Sequence, residues 1–66
     1  MTLTINGESH EFGPDLTVPA LLEHLGLQSK PVVIEHNETA LSPSDFKTCP
    51  LADGDCLEII TIAAGG

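Results

Sequence analysis

The chain is 66 residues long, which is enough for one domain with a small core and too short for a second. The sequence has ten acidic side chains and only two lysines, which gives a formal net charge of −8 at pH 7. Because this charge repels phosphate backbones and anionic lipid, we expect no nucleic acid and no membrane as partner, and we favour a protein partner with a basic surface. The sequence has no apolar run long enough to cross a bilayer and no signal-like leader, so we expect a soluble, cytoplasmic protein.

Cys49 and Cys56 are the only cysteines of the sequence. Together with His36 they fall short of the four ligands of a structural zinc site and of the four thiolates of an iron–sulfur cluster. We therefore expect no metal and no bound cofactor, and two reduced thiols that behave as small buried apolar residues. The three histidines, His10, His24 and His36, are scattered and are expected to have solvent-exposed or structural roles.

The first twelve residues have the pattern of a β-hairpin. Apolar and polar residues alternate from Met1 to Ile5, which is typical of a strand with one buried face. Asn6-Gly7 supplies two residues that accept positive φ angles, as a tight hairpin turn requires. Residues 8–12 are then expected to return antiparallel, with His10 and Phe12 pointing inward.

A helix is predicted after the break at Gly13-Pro14. Thr17 can cap its beginning, and Gly26 can take the left-handed conformation just beyond its end, where Leu27 folds back onto the last turn. The residues between these two signals are apolar at helical spacing, namely Val18, Leu21, Leu22 and Leu25.

A third strand is predicted over residues 32–36, where β-branched residues dominate. Asn37-Glu38 then turns the chain. Residues 40–50 are expected to be irregular, with a loop or one short helical turn beginning at Pro43 and with Phe46 filling the core.

The last predicted strand, residues 56–62, is the most apolar segment and follows the turn signal Asp53-Gly54-Asp55. Alternation places Leu57 and Ile59 on the core side and Ile60 and Ile62 on the opposite face. An outward apolar strip of Ile60 and Ile62 would form a partner-binding surface, and the alternative is that the edge of the fold covers them.

The order hairpin, helix, strand, loop, strand predicts an α+β fold with a mixed sheet of four to five strands and one main helix packed across one face. The first and last strands can lie side by side in the centre of the sheet if they run parallel, which the helix permits as a right-handed crossover. This is the β-grasp arrangement of ubiquitin. We expect a β-grasp domain over residues 1–62 and a flexible, extended tail over residues 63–66.

The tail ends in Gly65 and Gly66. A terminal carboxylate that is to be activated must enter a narrow site of a partner and attack the α-phosphate of ATP. Glycine has no Cβ and leaves the carboxyl group unobstructed, and Ala63 and Ala64 add only methyl groups, so the tail suits this chemistry. The alternative is a frayed chain end without a function.

The sequence resembles the ThiS family, the sulfur carriers of thiamine biosynthesis. The resemblance spans essentially the whole chain and rests on Ile5-Asn6-Gly7-Glu8, Thr17-Val18, Leu21-Leu22, Leu25-Gly26-Leu27, Asp53-Gly54-Asp55, Leu57-Glu58-Ile59 and Gly65-Gly66. It implies that an adenylyltransferase related to the ubiquitin-activating enzymes uses ATP to adenylate Gly66. It also implies that a persulfide from a cysteine desulfurase replaces AMP and that the thiocarboxylate passes its sulfur to thiazole synthase. On this account the chain is a cosubstrate and not an enzyme.

Two other interpretations stay open. A molybdopterin-synthase sulfur carrier has the same ending but becomes a tightly held subunit, and a plain ubiquitin-like interaction module would bind partners without needing Gly66. An acyl carrier protein needs a serine at the start of a helix in an all-helical bundle, whereas this chain has Asp15-Leu16-Thr17 and predicted strands. No motif places a nucleophile, a base and an orienting group together, which argues against a free-standing enzyme.

Overall fold

Five strands and one α-helix make up the ordered elements of the computed structural model, which describes residues 1–62. The strands are β1 (Thr2–Ile5), β2 (Glu8–Glu11), β3 (Val32–His36), β4 (Thr39–Leu41) and β5 (Cys56–Thr61), the helix is α1 (Val18–His24), and a 3₁₀ turn covers Pro43–Asp45. None of the helices formed within this range has the length and apolar character that crossing a membrane requires.

The strands form a single mixed sheet in the order β2-β1-β5-β3-β4. The first and last strands, β1 and β5, run parallel in its centre, with Thr4 opposite Cys56 and Ile5 opposite Leu57. The other neighbours are antiparallel. The predicted α+β, β-grasp topology is therefore confirmed, with five strands.

The two hairpins turn through pairs of residues with positive φ angles. Asn6 and Gly7 have φ angles of 51° and 83°, as predicted for a tight turn between β1 and β2. Asn37 and Glu38 have φ angles of 48° and 71°, and this second turn leads directly into β4. The prediction that residues 40–50 are irregular is wrong for Ala40 and Leu41, because the turn aligns β4 with the free edge of β3.

Helix α1 begins and ends as its sequence predicts. The Thr17 hydroxyl accepts a hydrogen bond from the Ala20 backbone N–H at 3.2 Å, which satisfies one of the free donors of the first turn. At the other end Gly26 has a φ of 74°. The backbone N–H of Gly26 donates to Glu23 and that of Leu27 donates to Leu22, which is the paired hydrogen bonding of a Schellman cap.

The core lies between α1 and one face of the sheet. Its buried members are Leu3, Ile5, Val18, Leu21, Leu22, Ile34, Leu57 and Ile59. Phe12 and Phe46 are partly buried and pack against this cluster, as predicted. On β5 the alternation is clear, since Leu57 and Ile59 are 2% and 6% exposed, whereas Ile60 is 62% exposed. One face of β5 therefore packs against α1, and the other is exposed.

Candidate functional site

Strand β5 is paired with β3 almost to its end. Val32 of β3 is opposite Thr61, and the backbone N–H of Ile62 donates to the Pro31 carbonyl at 3.0 Å. The segment predicted to carry the chemistry therefore begins beside the loop that precedes β3. Its residues, Ala63, Ala64, Gly65 and Gly66, lie outside the described residues, so the predicted flexible tail stays a prediction.

Three exposed apolar side chains form what we call the outer patch, defined as Val33, Ile60 and Ile62. They are 45%, 62% and 51% exposed. Val33 and Ile60 are directly opposite in the β3–β5 register, on the face of the sheet away from α1, and Ile62 follows two residues after Ile60. No described residue covers Ile60 or Ile62, so their predicted exposure is confirmed within residues 1–62.

Val33 was not predicted as part of this surface. The alternation in β3 already separates it from the buried Ile34, but only the register with β5 places it beside Ile60. An exposed apolar group of this kind is typical of a site where another protein binds.

Two carboxylates lie next to the outer patch on the same face. Glu35 and Glu58 are directly opposite each other in the β3–β5 register, two pairs further from the end of β5 than Val33 and Ile60. Like charges in opposed positions destabilise a sheet. Along β5 the outward face is thus acidic at Glu58 and apolar at Ile60, nearer to the end of the strand.

A polar cluster stands at the opposite end of the β3–β5 ladder. His36 Nε2 lies 2.7 Å from Asp55 Oδ2, and the same carboxylate accepts hydrogen bonds from Asn37 Nδ2 at 3.1 Å and from the Ala52 N–H at 2.9 Å. Burial alone would raise the pKa of Asp55, but these hydrogen bonds, led by that of His36, lower it below its ordinary value. The cluster ties the 52–55 turn to the end of β3.

Cys49 joins this cluster, because its Sγ lies 3.6 Å from His36 Nδ1. The order thiol, imidazole, carboxylate is also that of cysteine hydrolases, whose nucleophile is a thiolate with a lowered pKa. Here burial, followed by the charges of Asp55 and Asp45, raises the pKa of the Cys49 thiol. This is the opposite of the shift that such a nucleophile requires, so a structural role for Cys49 stays the prediction.

Both thiols are free, as expected, but they differ in exposure. Cys49 is partly buried and packs against the core, whereas Cys56 is exposed on β5. The prediction of burial is wrong for Cys56, because the alternation that sends Leu57 inward sends its neighbour outward. Within residues 1–62 no group of three or more His, Cys, Asp or Glu side chains is arranged so that it could hold a metal ion.

The comparison with known proteins agrees with the topology. The model of the ThiS family matches residues 3–66, which includes Gly65 and Gly66. The chain belongs to the ThiS family. The crystal structure of the thiamine biosynthesis protein ThiS from Geobacter metallireducens is similar, with a TM-score of 0.81 and 32% identity over 100% of both chains. This ThiS-family chain thus has the ubiquitin-like β-grasp fold.

The names of two curated relatives indicate the processes with which the ThiS family is associated. The sulfur carrier protein ThiS of Thermus thermophilus is 32% identical over 62 residues, covering 94% of this chain and 95% of that protein. The thiazole synthase of Paramagnetospirillum magneticum is 41% identical over 66 residues, covering 100% of this chain and 20% of that protein. The chain therefore spans about a fifth of the length of that thiazole synthase.

The structure of the ThiS-family chain separates its two candidate sites. Leu57 is opposite His36 at the polar cluster, and Thr61 is opposite Val32 near the tail, four residues further along β5. At about 3.3 Å per residue the two ends of this ladder lie about 13 Å apart. The outer patch lies beside the end of β5 from which the tail continues, and the Cys49 cluster does not.

Proposed function

We propose that this chain is a sulfur carrier of thiamine biosynthesis and that Gly66 carries the sulfur atom. The Gly66 carboxylate attacks the α-phosphate of ATP in a ubiquitin-activating-enzyme-like adenylyltransferase, and pyrophosphate leaves. The outer sulfur of a persulfide, supplied by a donor such as a cysteine desulfurase, then displaces AMP from the acyl carbon. A thiol cleaves the resulting acyl disulfide, which releases the thiocarboxylate and leaves a disulfide on the donor side.

The observation that carries the proposal is the family match, which runs from Leu3 to the terminal Gly66. A protein of nearly the same length, from Thermus thermophilus, is named a sulfur carrier. The named relatives concern thiamine or thiazole synthesis, which favours this pathway over a molybdopterin-synthase carrier.

Thiazole synthase is the proposed acceptor of the sulfur. Two proteins with this name, from Paramagnetospirillum magneticum and Magnetococcus marinus, contain a segment similar to the whole of this chain within a polypeptide about five times as long. A carrier-like segment joined to the rest of such a protein supports a direct interaction between carrier and synthase, since linkage raises their effective concentration.

The outer patch is the proposed docking surface for these partners. Ile60 and Ile62 contribute the predicted strip, and Val33 widens it across to β3. Docking there would place the tail next to the interface, where the small residues Ala63, Ala64 and Gly65 leave room for it to thread into a partner's site. The charge of −8 favours partners with basic surfaces.

In this proposal the chain itself is not an enzyme. It supplies no catalytic side chain and binds no cofactor, and the ATP is bound by the adenylyltransferase. Neither nucleic acid nor membrane is a partner, and the cytoplasmic location stays a prediction.

Intact-mass spectrometry tests the proposal. Incubation with the activating enzyme, ATP and a persulfide donor should add the mass of one sulfur-for-oxygen exchange at the C-terminus. A chain that lacks Gly66 should fold equally well by circular dichroism and stay unmodified. An unchanged mass of the full chain, under conditions in which the enzyme modifies the Thermus thermophilus carrier, would refute the proposal. Partner binding that survives removal of Gly66 without any activation would instead indicate an interaction module.

A further inference from the structure

Asn6 binds the backbone of β5 with its side chain. Its Nδ2 donates to the Ile59 carbonyl at 3.0 Å, and its Oδ1 accepts from the Ile59 N–H at 2.8 Å. The two residues are 53 positions apart in the sequence. One side-chain amide thus satisfies both backbone groups of a residue in the central strand.

This contact continues the β1–β5 ladder past the point where β1 ends. Ile5 is the last residue of β1 and is opposite Leu57, and the backbone N–H of Asn6 donates to Leu57 at 2.9 Å. The chain then turns away at Asn6-Gly7. The Asn6 amide occupies the place where the next strand residue would pair, so it supports β5 two residues closer to the tail.

The side chain also lies at a position that allows the turn. Asparagine tolerates the φ of 51° that the first turn residue requires, and here the same residue uses its amide for a long-range contact. Several residue types could therefore occupy position 6 of the turn. The paired hydrogen bonds to Ile59, in contrast, require a side-chain amide, which both donates and accepts.

We propose that Asn6 is a positioning residue for the reaction at Gly66, because its amide fixes the end of β5 that carries the outer patch and leads into the tail. This inference rests on the proposed sulfur-carrier function. Four tail residues span at most about 14 Å, so the position of the end of β5 limits which sites in a bound partner the terminal carboxylate can reach. Displacements of about 1 Å at a reacting atom can cost on the order of 100-fold in rate.

The test compares Asn6→Gly with Asn37→Gly. Glycine accepts the φ angles of both turns, so each variant keeps its turn and loses the contact of its side chain with β5. Asn37→Gly also loses the hydrogen bond from Asn37 Nδ2 to Asp55. Asn37 is the matched control, because it also has a positive φ and its Oδ1 accepts from the Cys56 N–H at 2.9 Å, at the far end of β5.

Two measurements are made on the folded variants. Hydrogen exchange should accelerate at the Ile59 amide in Asn6→Gly and at the Cys56 amide in Asn37→Gly. The kcat/KM for adenylation of the carrier should fall by about tenfold or more in Asn6→Gly, as expected from a displaced reacting group, and should change less than about twofold in Asn37→Gly.

Each outcome decides between the inference and a purely structural role. Equal losses of kcat/KM in both variants would show that Asn6 only stabilises the domain, and an unchanged kcat/KM in Asn6→Gly would overturn the inference. Should Asn6→Gly not fold, Asn6→Asp is measured in the same way, since it keeps the turn and the acceptor but cannot donate to Ile59. Failure of the wild-type chain to be activated would instead refute the proposed function, and the exchange of the Ile59 amide would still report on the contact.

Discussion

Replacing Ile60 by alanine tests whether the outer patch binds the activating enzyme. Full burial of an isoleucine side chain contributes about 1.5–3 kcal/mol. Because 62% of Ile60 is still exposed in the free domain, a partner that covers it gains about two thirds of this, or about 1–2 kcal/mol. Ile60→Ala loses most of that gain, which corresponds to an affinity about 5- to 30-fold weaker. The stability of the domain itself should change by less than about 1 kcal/mol.

Isothermal titration calorimetry of the carrier against the activating enzyme, without ATP, measures this affinity. Thr39→Ala is the control, because Thr39 is also exposed but is opposite His36 in the register and so belongs to the face that carries α1. Its affinity should equal that of the wild type. If Ile60→Ala binds within about twofold of the wild type while both variants are folded, the outer patch is not the docking surface.

Three further predictions concern the stability of the domain. Asp55→Asn should lower the free energy of unfolding by about 1–2 kcal/mol at pH 7, as measured in urea. Because folding lowers the pKa of Asp55, its contribution is complete above the ordinary value of 3.8 and is lost as the pH falls through the folded value, so this gap should shrink at pH 3. Thr17→Ala should cost about 1 kcal/mol by removing the hydrogen bond to the Ala20 N–H, with a lower Tm. Leu3→Ala empties a fully buried position and should cost about 2–5 kcal/mol, which circular dichroism would record as partial or complete unfolding at 37 °C.

The features that the sequence predicts well are those set by neighbouring residues. The alternation in β5 follows from a period of two, and the hairpin at Asn6-Gly7 follows from the φ angles that these residues accept. The caps of α1 at Thr17 and Gly26 are equally local. Each of these signals acts within a few positions of the chain, so a single sequence contains it in full.

The features that sequence reasoning missed depend on contacts between distant segments. Strand β4 has only three residues, too few for a visible alternation, and its turn at Asn37-Glu38 contains no glycine. Val33 can be assigned to the outer patch only from its register with Ile60. The contact of Asn6 with Ile59 joins residues that are 53 positions apart in the sequence. The exposure of Ile60 and Ile62 was predictable from the alternation in β5, whereas the membership of Val33 was not. The chemistry at Gly66 stays a proposal.

The position of β5 within the sheet bears on how a carrier can present its tail. Edge strands fray and exchange partners easily, because one row of their backbone groups is unpaired. Here the strand that leads to Gly66 is central, with β1 and Asn6 on one side and β3 and Pro31 on the other. A partner that binds the outer patch therefore holds a strand whose backbone is hydrogen-bonded as far as Ile62, and four residues lie between that point and the Gly66 carboxylate. Since ordering one residue costs about 1–2 kcal/mol, a short tail on a central strand keeps the entropic cost of threading small.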